Sequence, residues 1–101
     1  MTYNDERQAA RKAQAVITSL TPRSQRTDAN VFAIRYAAGT ARDAVTNQPH
    51  ESILNDARIE ASSVLGGLQG LMEVSAVTPD MIERARKAVA AWLRELAVLD
   101  R

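Results

Sequence analysis

Apolar positions recur along the chain at intervals of three and four residues in four separate stretches, the spacing that lines one face of an α-helix. In the first, Ala10, Ala13, Ile17 and Leu20 form one stripe with Val16 beside it, which predicts a helix over about 3–20. Thr2 or Asn4 can cap it, and Asp5 and Glu6 suit the positive end of the helix dipole. Pro22 ends it, because the residue before a proline is pushed out of the α region. The second stretch carries Val31, Ile34, Ala38, Ala41 and Val45 and predicts a helix over about 28–46, capped by Thr27 or Asp28. Phe32 and Tyr36 form an apolar pair on another face of that helix, which places it centrally or at an interface.

The third stretch predicts a helix over about 50–74, with Ile53, Ala57, Ala61, Val64, Leu68 and Leu71 on one face. Gly66, Gly67 and Gly70 fall in its second half. They imply either a kink or a close approach of two backbones, and a continuous helix is the expectation. Gly39, in the middle of the second helix, costs about 1 kcal/mol relative to alanine and calls for a close-packed neighbour. The fourth stretch, about 79–99, has Thr78 as cap and Pro79 in the first turn. Its seam, Met81/Ile82, Ala85, Val89, Trp92, Leu96 and Leu99, has coiled-coil spacing. Glu83 stands four residues before Lys87, the favourable order for an ion pair along a helix.

No stretch alternates apolar and polar residues over a strand length. The expected fold class is all-α: a single domain over 1–101, built as an antiparallel bundle of about four helices. A chain of 101 residues, 46% hydrophobic and 25% charged, has the balance of a globular domain. The absence of cysteine excludes disulfides and thiolate chemistry. The least charged stretch, Val64 to Val77, is too short to span a bilayer. A soluble, cytoplasmic protein with no membrane partner is expected.

Charge changes this picture little. Thirteen basic and twelve acidic residues leave a formal +1, with seven basic against four acidic up to Gln48 and six against eight beyond. The excess in the first half consists of Arg7, Arg11, Lys12, Arg23, Arg26, Arg35 and Arg42 set against few carboxylates. If Arg7, Arg11, Arg23, Arg26, Arg35 and Arg42 aligned, they would suit a phosphate backbone. As separate solvated side chains they would carry no function.

Candidate chemistry is sparse. The single histidine, His50, sits beside Glu51 at a helix start, where an exposed polar residue is ordinary. Asp56 and Glu60 share a helical face, yet no Glu-x-x-His element accompanies them as in carboxylate-bridged bundles. Gly66 to Gly70 lacks the lysine of a phosphate loop. No catalytic residue, metal ligand or cofactor is expected, and the chain is not read as an enzyme. The expected function is a protein-interaction module: an adaptor, inhibitor or assembly subunit, with homodimerisation possible. Phe32, Tyr36 and Trp92 are its candidate anchors, since large aromatics dominate binding hot spots. Core packing is the competing role for each. A nucleic-acid-associated regulator using the basic residues is the alternative.

Overall fold

The computed structural model describes residues 3–23, 27–45 and 52–99. They form four α-helices: α1 (Asn4–Ser19), α2 (Asp28–Ala44), α3 (Ser52–Glu73) and α4 (Pro79–Val98). Among the described residues there is no strand. Each helix packs on the next in the chain, and α4 closes the square against α1, while neither diagonal pair touches through its backbones. Helices α3 and α4 run in opposite directions. Five residues separate α3 from α4, and at about 3.5 Å per residue they cannot carry the chain back along a twenty-residue helix to start a parallel one. The result is a bundle measuring 40 × 20 × 20 Å.

Local signals set the helix ends. The Thr27 hydroxyl accepts from the Asn30 amide at 3.2 Å, and the Thr78 hydroxyl accepts from the Met81 amide at the same distance. Each satisfies one of the amides that a helix start leaves without a partner. At the start of α1, Tyr3 occupies the capping position without a side-chain cap, and Asn4 already lies in the helix; Thr2 lies outside the described residues. Helix α2 ends at Ala44 rather than at 46, because Val45 turns to extended backbone, a conformation that a β-branched residue favours.

Helix α3 runs unbroken through its glycines. At its end Ser75 takes a left-handed φ of 57°, the Ala76 amide donates to the Leu71 carbonyl, and the Ser75 amide donates to Met72. This is a Schellman closure with serine where glycine is usual. Close packing does not explain the other glycines. A Cβ at Gly39, Gly66 or Gly70 would meet nothing within 4 Å, and one at Gly67 would press only on the tip of Met81.

The core follows the expected stripes over most of three helices, with Leu20, Ala38 and Val45 only half-buried and Leu99, at the end of the α4 seam, exposed. Ala10, Ala13 and Ile17 of α1, Val31, Ile34 and Ala41 of α2, and Ala85, Val89, Trp92 and Leu96 of α4 are buried. On α3 the expected stripe holds at Ala61, Val64 and Leu68 and departs from the buried seam toward both ends. Ile53 is 69% exposed and Ala57 is only half-buried. The buried seam is instead Leu54, Arg58, Ala61, Leu65, Leu68 and Met72, with Val64 beside it. Spacings of four and three run through Arg58, so a charged residue occupies a core position of the heptad pattern.

Candidate partner-binding face

Helix α2 turns Val31, Ile34, Ala37 and Ala41 into the core. The 3.6-residue period then sends Phe32, Arg35, Tyr36, Gly39, Arg42 and Asp43 to the opposite side. Phe32 is 64% exposed and Tyr36 53%. One turn apart, their rings stand 5.9 Å centroid to centroid with planes tilted by 33°, a favourable aromatic arrangement. This pair forms a ridge between two grooves. Toward α1 the ridge is flanked by Asp5, Gln8 and Lys12. Toward α3 the groove is broader, with Gly39, Ser62 and Gly66 among the residues that line it and Arg35, Arg42 and Asp43 on the α2 side. Arg42 lies 3.6 Å from Asp43, and both are well exposed.

Trp92, the third expected anchor, is corrected by its position. It is fully buried and can offer a partner no surface. Its indole N–H donates to Glu6 Oε1 at 2.8 Å. The same carboxylate takes two bonds from Arg58, Nε to Oε1 at 2.6 Å and a terminal nitrogen to Oε2 at 2.9 Å. Arg58 also donates to Asn55 Oδ1 at 2.8 Å, and its guanidinium lies 5.9 Å from the Tyr3 ring centre. Glu6, Asn55 and Arg58 are all buried. The cluster therefore ties α1 to α3 across the diagonal of the bundle, where their backbones do not meet, and adds α4 through the indole. No buried side-chain nitrogen or oxygen among the described residues lacks a hydrogen bond, as a stable polar interior requires.

Sequence reasoning read Glu6 as a dipole partner and did not single out Arg58 or Asn55. The signal was present. Glu6, Ala10, Ala13 and Ile17 are spaced four, three and four, so Glu6 stands in the buried stripe. A charged residue in such a stripe on each of two helices, with opposite signs, marks a buried pair.

The basic residues of the first half do not come together. Arg7 and Arg11 border the groove between α1 and α4, where Arg94 joins them. Arg35 and Arg42 border the α2–α3 groove on the opposite side of the square. Arg23 is exposed in the turn after α1. Arg26, like His50 and Glu51, lies outside the described residues. No group of three or more potential metal-ligating side chains occurs among the described residues, and Asp56 and Glu60 are exposed. None of the four helices is long and apolar enough to cross a membrane.

On the outer side of α4, Arg86 and Glu83 form an exposed two-point ion pair through both carboxylate oxygens, with Lys87 at 3.9 Å. The hydrogen bonds and charge of Arg86 hold the Glu83 carboxyl below its ordinary value, and Glu83 in turn raises the Arg86 guanidinium. Comparison with known proteins finds no matching family model, no matching curated protein and no matching solved structure.

Proposed function

We propose that this chain is a cytoplasmic protein-interaction module, an adaptor, inhibitor or assembly subunit, that docks a partner protein against the outward face of α2 with Phe32 and Tyr36 as anchors. One observation carries the proposal: two large aromatics stand mostly exposed, one turn apart, on a helix whose opposite face already fills the core. Burying a phenylalanine-sized side chain contributes about 1.5–3 kcal/mol, a gain that the isolated fold forgoes at this position. The grooves on either side of the ridge would receive the partner's side chains, and Arg35 and Asp43 at the edge would set its register. This is recognition by a helix face.

The nucleic-acid alternative asks the basic residues of the first half to act as one tract. Their division between opposite sides of the bundle gives a duplex backbone no continuous surface to follow, so the protein partner is the better-supported reading.

The test is affinity capture from the native lysate at high salt, paired with the solution mass of the purified protein. A stoichiometric protein retained by the wild type, or a doubled mass if the partner is a second copy, is expected. Either should be lost in Phe32→Ser/Tyr36→Ser while the melting temperature stays within about 2 °C, since both positions are on the surface. A monomeric wild type that retains nothing at high salt overturns the proposal, as does a double variant that binds as the wild type does.

A further inference from the structure

We propose that the occupant of the α2 face is a second copy of this chain, docked with its own α2 antiparallel to the first. The inference rests on the reading of that face as a docking surface and names the partner. Along the outward side of α2, Ala29, Phe32, Tyr36 and Gly39 follow one another at intervals of three, four and three, the spacing of a two-helix seam. Ala29, Phe32 and Tyr36 are exposed and Gly39 is half-buried, while the core takes Val31, Ile34, Ala37 and Ala41 from the other side. The order along the seam is small, aromatic, aromatic, small, and it reads the same from either end. A two-fold interface demands this, because each surface meets a reversed copy of itself. A partner of unrelated shape makes no such demand.

An axis level with position 34 sets Phe32 across from the copy's Tyr36, and Ala29 across from the copy's Gly39. The rings of Phe32 and Tyr36, already 5.9 Å apart within one subunit, then join their copies in a central cluster of four. The small residues on either side of that cluster let the two backbones come close. Gly39 is the independent observation. Glycine within a helix weakens it, and a Cβ at Gly39 would meet nothing within 4 Å, so no contact inside the subunit calls for it. A helix laid over this position does. All four seam positions are uncharged, so the pairing needs no ion pair and should survive high salt.

Sedimentation over about three decades of protein concentration at high salt tests the pairing. The wild type should shift from monomer to dimer, and Phe32→Ser/Tyr36→Ser should stay monomeric. Gly39→Gln should weaken the dimer about tenfold or more, because its side chain holds the backbones apart. Its melting temperature should hold or rise, since glutamine is the better helix former; a glycine needed only by the subunit's own fold would show the reverse. Single cysteines in this cysteine-free chain report the register. Ala29→Cys mixed with Gly39→Cys should give a disulfide-linked mixed dimer, and neither variant should link to its own kind. Position 29 lies five residues from the axis, hence about 15 Å from its copy along the helix, beyond disulfide reach. Linking of each variant to itself in place of mixed linking overturns the proposal. So does a dimer that persists in Phe32→Ser/Tyr36→Ser, or one in Gly39→Gln as tight as the wild type. A wild type that stays monomeric throughout also overturns it. If that monomer still captures another protein through Phe32 and Tyr36, the docking face stands and only the second copy is excluded; if it captures nothing, both readings fall.

Discussion

Two arginine–glutamate pairs in this bundle share one chemistry and differ in surroundings. Arg58 grips Glu6, and Arg86 grips Glu83, each through Nε and a terminal nitrogen to both carboxylate oxygens. The Arg58 and Glu6 side chains are 3% and 6% exposed, whereas those of Arg86 and Glu83 are 55% and 46% exposed. The contacts look alike, so the consequences must be argued from water. Outside, either partner can return to solvent when the other is removed, and the pair adds little. Inside, neither can. Its worth then lies in what is left behind when it breaks, and the surrounding Asn55, Trp92 and Tyr3 are there because the interior leaves few other ways to satisfy the charges.

The largest expected effect breaks the buried member. Arg58→Met leaves the Glu6 carboxylate in the core with the indole as its remaining partner, and should cost about 3–5 kcal/mol in denaturant unfolding. The double variant Glu6→Leu/Arg58→Met removes both charges and should recover much of that loss. Additive costs for the two substitutions would show that the residues do not act as a pair. A smaller effect is expected from Trp92→Phe, which keeps the ion pair and removes one hydrogen bond to a charged acceptor. Its expected cost is about 2 kcal/mol, most of it from that bond. A fully tolerated Trp92→Phe would mean that Arg58 alone satisfies Glu6.

The same contrast explains what could be seen in the sequence. The four helices, the threonine caps before Asp28 and Pro79, and three of the core stripes follow from spacing and cap chemistry, which are local. The α3 stripe held at Ala61, Val64 and Leu68, but its first part was misplaced because a search for apolar residues steps around Arg58 onto Ile53 and Ala57, one position off the seam. That search cannot know that a carboxylate on α1 waits across the bundle, since the partners stand 52 residues apart. The aromatics were legible in part. Trp92 stands in the apolar seam of α4 and is buried, whereas Phe32 and Tyr36 stand off the seam of α2 and are exposed; grouping all three as anchors set that pattern aside. The division of the basic residues, by contrast, is a matter of topology. Arg11 and Arg35 belong to neighbouring helices but face away from each other toward α4 and α3.

The smallest expected effect belongs to the exposed pair and is best read as a pH dependence. Glu83 is held below the ordinary glutamate value of 4.5, chiefly by the hydrogen bonds from Arg86. A carboxyl whose pKa is lower in the folded than in the unfolded state binds fewer protons when folded. Its contribution is therefore fully present above the unfolded value and fades as pH falls through the folded one. The stability difference between wild type and Glu83→Gln should be small at neutral pH and shrink to nothing in acid below 4.5. Added salt should reduce it further, because the pair is open to screening. Measured against Arg58→Met in the same buffers, the exposed pair should barely move the unfolding midpoint. An effect of Glu83→Gln that rivals the buried one, or that grows as the solution is acidified, would show that exposure does not set the difference between the two pairs.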